Sequence, residues 1–185
     1  MKKKSILQII GIVTIINLAS RLFGFIREVV IGYHFGTSYV ADSVIVAYTI
    51  PNFLYIVVGG AVTTAFISVY HKIPTELEKE EFKRVIFSYL SLFAFILTAI
   101  FMIFTTEIIG LLFPGLKDYE LALTADLFFF MAPAVLFFIL SMWFTGVLNI
   151  NKQFYRTSFV TLVNNVLFVV LAVLFFPLIG VISYA

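Results

Sequence analysis

Five apolar segments, each long enough to cross a lipid bilayer as a helix, dominate the sequence. They cover residues 6–33, 41–70, 83–113, 121–148 and 157–180. A membrane-spanning helix needs about 20 mostly apolar residues, because the hydrocarbon core is about 30 Å thick and each helical residue rises about 1.5 Å. The extra length implies tilt or bends, for which Pro51, Gly59-Gly60 and Pro133 are suitable places. The sequence therefore predicts an all-α, polytopic membrane helix bundle of five spans, with a sixth beginning near Ala185.

The composition agrees with a membrane protein and excludes several other classes. Hydrophobic residues make up 62% of the 185 residues and charged residues 12%, with a mean hydropathy of +1.11, whereas soluble domains average about 25% charged residues. The absence of cysteine excludes disulfides and thiolate chemistry. The net charge of +2 is small, and most basic residues flank apolar segments. We therefore expect membrane lipids as partners and no nucleic acid.

The basic residues in the linkers predict the orientation of the chain. The linkers are residues 34–40, 71–84, 114–120 and 149–156. If the N-terminus is cytoplasmic, nine basic residues lie inside and only Lys117 lies outside. The nine are Lys2, Lys3, Lys4, Lys72, Lys79, Lys83, Arg84, Lys152 and Arg156. Because cytoplasmic loops carry an excess of Lys and Arg, this distribution predicts a cytoplasmic N-terminus. The first segment is predicted to be a span rather than a signal peptide, since Asn17-Leu18-Ala19 is a poor cleavage pattern.

The first segment carries charge where a membrane helix should be apolar. Residues 5–19 give only about 22 Å of helix, so the helix must continue through Arg21 to cross the bilayer. At about 100° per residue, the polar positions fall within an arc of about 140°. They are Thr14, Asn17, Ser20, Arg21, Gly24, Arg27 and Glu28. An arginine at a helix centre costs about 2.5–3.5 kcal/mol, so this stripe is expected to face other helices or a water-filled cavity.

The chemistry that suits this stripe is recognition of an anion. Guanidinium groups match phosphate oxygens with two parallel hydrogen bonds, and two arginines about two turns apart suit a diphosphate. The candidate substrate-binding residues are Asn17, Ser20, Arg21, Arg27, Glu28 and Asp42. The two acids are expected to pair with the arginines when the ligand is absent, or to bind a coupling cation. The competing interpretations are that the arginines snorkel or form local ion pairs, and that Asp42 is a helix N-cap.

The remaining polar residues do not suggest catalysis. His34 and His71 lie at segment ends without companions at metal-ligand spacing. The sequence shows no nucleophile–base pair, no glycine-rich phosphate loop and no paired catalytic carboxylates, so we expect neither an enzyme nor a cofactor nor a metal. Asn164 and Asn165 are expected to form interhelical hydrogen bonds.

Several short stretches resemble one family of membrane transporters. The stretches are "SRLFGFIREVVIGYHFG", "ADSVIVAYTIPNF", "GGAVTTAF" and "LNINKQF". Together they make the chain similar to the MurJ/MviN family of lipid II flippases, in the multidrug/oligosaccharidyl-lipid/polysaccharide exporter superfamily. The resemblance implies about fourteen helices in two lobes, of which this chain is part of the first. It also implies outward transfer of a polyprenyl-diphosphate-linked cell-wall precursor across a bacterial plasma membrane by alternating access. Arg21 and Arg27 match family arginines that bind the diphosphate, and Asp42 matches a family acid nearby.

The chain departs from the family pattern on its second helix. The family often has an arginine after its Pro-Asn and an acid before its Gly-Ala, where this chain has Tyr55-Ile56 and Gly59. A different lipid-linked glycan is therefore a second candidate substrate. A cation-coupled small-molecule exporter of the same superfamily and a non-transporting membrane fragment are further hypotheses. We expect the chain to be the N-terminal part of a longer fold, with the missing C-terminal part as its partner.

Overall fold

The computed structural model describes residues 6–36 and 38–180, and these residues form six α-helices without any strand. The helices are α1 (Ile6–Phe35), α2 (Tyr39–Tyr70), α3 (Glu76–Ile103), α4 (Thr105–Leu112), α5 (Asp118–Ile150) and α6 (Phe154–Ile179). Five are long and apolar enough to cross a membrane, over Ile10–Phe35, Tyr39–Tyr70, Glu76–Ile103, Asp118–Ile150 and Phe154–Leu171. The predicted all-α class and the five spans are thus confirmed. The start of a sixth span near Ala185 lies outside the described residues.

The third predicted segment was wrong at both ends. Residues 71–84 were expected to form a linker, but α3 begins at Glu76. Thr75 is its N-cap, and its hydroxyl accepts a hydrogen bond from the Glu78 amide at 3.3 Å. Acidic residues in the first turn favour this end of a helix because they face the positive end of its dipole. Ion pairs with a spacing of three residues, Lys79–Glu76 and Lys83–Glu80, support the same turns.

The apolar run 83–113 is also interrupted, since α3 ends at Ile103 and α4 starts at Thr105. Phe104 has φ −107° and ψ 33°, outside the helical region. The Thr105 hydroxyl donates to the carbonyl oxygens of Phe101 at 2.8 Å and Met102 at 3.0 Å. A side-chain donor thus binds carbonyls at the end of α3. The break leaves α4 with eight residues, which is too short to cross a bilayer.

Residues 42–147 form one compact unit, in which α2, α3 and α5 pack together. Its apolar core contains Ala94 of α3 with Val135 and Ile139 of α5. Leu54, Leu90, Leu97, Phe101 and Leu136 surround that core. Both α2 and α5 continue as helices through Pro51 and Pro133.

Two glycines allow α2 and α5 to approach closely, as small residues do between membrane helices. A Cβ atom on Gly59 would lie 2.5 Å from the Met142 sulfur, and one on Gly146 would lie 2.8 Å from Cδ1 of Phe66. The Thr63 hydroxyl adds a hydrogen bond to the Met142 carbonyl at 3.3 Å. Gly59 therefore has a packing role that its sequence position did not predict.

We expect Gly146→Ala to destabilise the unit, because the added methyl group meets the buried ring of Phe66. Overpacking of this kind typically costs about 1–3 kcal/mol. Gly60→Ala is the matched control, since nothing lies within 4 Å of its added Cβ. Thermal unfolding in detergent, followed by tryptophan fluorescence, should show a lower midpoint only for Gly146→Ala. Equal unfolding midpoints for both variants would contradict the close approach of α2 and α5 at Gly146.

The second unit comprises residues 1–41 and 148–184, of which the structure describes α1, α6 and the residues next to them. Gly36 directly follows the last residue of α1, and its φ of +58° and the hydrogen bond from its amide to the Gly32 carbonyl (2.8 Å) are typical of a helix C-terminus. Helix α6 lies along α1. Helix α6 covers two of the candidate site residues on α1, Ser20 and Arg27.

Candidate ligand-binding stripe on the first helix

Arg21 lies in the middle of α1. The helix has 30 residues, from Ile6 to Phe35, so Arg21 is about 22 Å from either end at 1.5 Å per residue. The expected continuation of the helix through Arg21, Arg27 and Glu28 is confirmed. A guanidinium group at this depth reaches the bilayer surface less easily than one near a helix end.

One edge of the polar stripe packs against α6. Ser20 is only 4% exposed, and the Asn165 side-chain amide donates to its hydroxyl at 2.8 Å and to its carbonyl at 3.2 Å. The expected interhelical hydrogen bond of Asn165 is confirmed. Ile31, which lies on the same face of α1, is also buried. The Ser20 hydroxyl is therefore engaged in helix packing.

Arg27 lies on the same edge and contacts both Glu28 and Phe168. Its Nη2 and Nε atoms donate to Oε1 of Glu28 at 2.7 Å and 3.2 Å. Its guanidinium carbon lies 5.5 Å from the centre of the Phe168 ring on α6, within range of a cation–π interaction. The side chain of Arg27 is 22% exposed and that of Glu28 is 54% exposed. A carboxylate thus occupies two of the guanidinium donor atoms of Arg27.

The rest of the stripe is uncovered. Asn17, Arg21 and Glu28 are exposed and fall within about 40° of one another around the helix axis. Arg21 and Arg27 are about 9 Å apart along the axis and about 120° apart around it. The stripe therefore has a packed edge with Ser20 and Arg27, and an open face with Asn17, Arg21 and Glu28.

Asp42 lies in the first turn of α2 and is exposed. The interpretation of Asp42 as the N-cap is wrong, because the helix already begins at Tyr39. The Ser38 hydroxyl accepts a hydrogen bond from the Ala41 amide at 3.5 Å, which is the N-cap pattern. The Asp42 carboxylate therefore does not serve as the N-cap of α2.

Phe168 is the site residue that the sequence did not reveal. Asn165 and Phe168 are three residues apart, and residues at this spacing share one face of a helix. The adjacent Asn164 and Asn165 are conspicuous in an apolar helix, but nothing distinguishes Phe168 from the chain's other 22 phenylalanines (23 in all). Only the packing of α6 on α1 identifies it.

A family model described as "Lipid II flippase MurJ" matches residues 31–185. The chain belongs to the lipid II flippase MurJ family. A probable lipid II flippase MurJ of Aquifex aeolicus is 31% identical over 173 residues, covering 91% of this chain and 34% of that protein. A probable lipid II flippase MurJ of Buchnera aphidicola subsp. Schizaphis graminum is 32% identical over 179 residues, covering 92% of this chain and 34% of that protein.

A solved structure, "Lipid II flippase MurJ, inward closed conformation", superimposes with a TM-score of 0.82 at 27% identity. The superimposed region covers 93% of this chain and 37% of the chain in that structure. The chain thus spans about a third of the length of these MurJ relatives. The resemblance seen in the sequence is confirmed, and the chain is a multi-pass protein of a bacterial plasma membrane. The family is one of transporters, not of enzymes.

Proposed function

We propose that this chain forms the N-terminal part of the first lobe of a flippase. The flippase moves a lipid II-like, polyprenyl-diphosphate-linked cell-wall precursor across the plasma membrane by alternating access. The observation that carries this proposal is the pair of arginines at and beyond the middle of α1, in a chain of the lipid II flippase MurJ family. Because the chain spans about a third of its relatives, transport requires the further helices that they possess.

Binding of the diphosphate begins with an exchange of anions at Arg27. The Glu28 carboxylate holds the guanidinium while the ligand is absent, and phosphate oxygens replace it when the ligand arrives. Phe168 keeps the guanidinium on the packed edge throughout this exchange. Arg21 supplies a second positive charge from the open face, and Asn17 supplies an amide beside it. A phosphate that contacts two cations in a low-dielectric site is held more strongly than in water.

The two acids complete the proposed cycle. Glu28, once displaced from Arg27, is available to bind a coupling cation, and Asp42 is proposed for the same role or for pairing with the arginines. Ser20 acts through its bond with Asn165, which sets the position of α1 next to Arg21. Its hydroxyl is therefore proposed to position the helix rather than to contact the ligand.

A chimaera tests the function without requiring the rest of this protein. The chain replaces the matching third of a MurJ relative, in cells whose own flippase can be depleted. We expect the chimaera to restore growth and to move labelled lipid II outward in vesicles. Normal membrane abundance without growth or transport would contradict the proposal. Transfer of a different polyprenyl-linked glycan in the same vesicles would assign that glycan as the substrate instead.

We also propose that the N-terminus is cytoplasmic, because of the nine-to-one distribution of basic residues. The chain contains no cysteine, so single cysteines report position without background. A membrane-impermeant maleimide added to intact cells should label Lys117→Cys and spare Lys72→Cys, which lies in the 71–75 loop. After lysis both should react. Labelling of only Lys72→Cys in intact cells would reverse the topology.

A further inference from the structure

A cleft lies between α3 and α5, and it shares no residue with the stripe on α1. It encloses about 260 Å³ and is open to the outside. It is lined by Glu80, Lys83, Arg84, Phe87, Trp143 and Val147. All of these residues belong to the unit of residues 42–147.

The lining of the cleft presents more hydrogen-bond donors than the described residues satisfy. Arg84 is exposed, and its guanidinium has no partner among the described residues. Lys83 is paired with Glu80, which leaves one net positive charge. The indole N–H of Trp143 is buried and has no acceptor within the described part of the chain. A buried donor without an acceptor is uncommon in folded proteins and calls for an explanation.

The floor of the cleft is aromatic and lies at the boundary of the apolar core. The Trp143 ring centre lies 4.8 Å from that of Phe87 and 6.3 Å from that of Phe66. No charged residue occurs between Arg84 and the end of α3 at Ile103. The cleft therefore lies at the level where a membrane surface begins, which is where tryptophan is enriched.

We propose that this cleft binds the headgroup of an anionic phospholipid. The phosphate oxygens accept hydrogen bonds from the Arg84 guanidinium, and from the Trp143 indole when its ring turns the N–H toward the cleft. Phe87 and Val147 meet the apolar glycerol and acyl region of the lipid. Basic pockets between membrane helices are typical sites for such headgroups. A lipid fits this cleft better than a free phosphate ion, because half of the lining residues, namely Phe87, Trp143 and Val147, are apolar.

Trp143 is the only tryptophan in the chain, so its fluorescence reports on the cleft directly. The chain is placed in nanodiscs of phosphatidylcholine that contain increasing fractions of phosphatidylglycerol. Either lipid carries bromine near the headgroup end of its acyl chains, and bromine quenches tryptophan on contact. We expect brominated phosphatidylglycerol to occupy the site about fivefold more readily than brominated phosphatidylcholine, the effect of one basic residue at a membrane surface.

Two variants separate the cleft from the overall charge of the protein. Arg84→Gln should remove the preference for phosphatidylglycerol. Lys72→Gln makes the same change in charge in an exposed loop residue that does not line the cleft, and it should keep the preference. Equal quenching by both lipids, or a preference that persists in Arg84→Gln, would overturn the proposal. Loss of the preference in millimolar inorganic phosphate would show a free-anion site and would overturn it as well.

Discussion

Replacing Arg27 with alanine is expected to weaken diphosphate binding by about tenfold or more and to abolish growth by the chimaera. The variant loses a charge-assisted contact, which is typically worth about 1.5–3 kcal/mol, and each 1.4 kcal/mol corresponds to about tenfold in affinity. Insertion should be preserved, because a more apolar α1 is favoured in the bilayer. Binding is measured with farnesyl diphosphate on the chain in nanodiscs, and membrane abundance is measured alongside growth.

Two further variants make the result specific. Arg27→Lys should recover only part of the binding, because lysine keeps the charge but lacks the planar fork. Arg156→Ala is the matched control: Arg156 is also an arginine in contact with an aromatic ring, that of Tyr155, but it lies at the start of α6. Full activity of Arg27→Ala at normal abundance would favour snorkelling or packing as the role of Arg27.

Replacing Glu28 with glutamine is expected to act in the opposite direction on binding. The glutamine cannot hold the Arg27 guanidinium as an ion pair, so the incoming phosphate no longer competes with a carboxylate at 2.7 Å. It also removes a negative charge that repels the diphosphate. We expect several-fold tighter binding of farnesyl diphosphate, with little change in stability, since exposed ion pairs contribute only about 0–1 kcal/mol.

The same variant tests the second role proposed for Glu28. If its carboxylate binds a coupling cation after it leaves Arg27, the chimaera with Glu28→Gln should bind better but transport less. Glu81→Gln serves as the control, because it makes the same change of charge at an exposed residue of α3 that lies outside the stripe. Unchanged binding in Glu28→Gln would show that the carboxylate does not compete with the ligand.

The spans could be predicted from the sequence because hydrophobic length is a property of a continuous stretch of chain. A run of about 20 apolar residues is stable in a bilayer as a helix that crosses the hydrocarbon core, whatever its neighbours are. The start of α3 at Glu76 was also available in the sequence, since Thr75 followed three residues later by Glu78 is a capping pattern. The break between α3 and α4 at Phe104 could not be predicted from the sequence, because no proline or glycine marks it.

The charge of the stripe on α1 was likewise determined by the sequence alone. The positions of Arg21, Arg27 and Glu28 follow from the helical repeat. Tertiary structure decided which part of the stripe is covered. The covering helix is α6, and its Asn165, which contacts Ser20, is 145 residues away from Ser20 in sequence. Asn165 buries Ser20, and Phe168 supports Arg27. A helical repeat specifies which residues share a face, but the partner of that face depends on packing between distant segments, which no local pattern encodes.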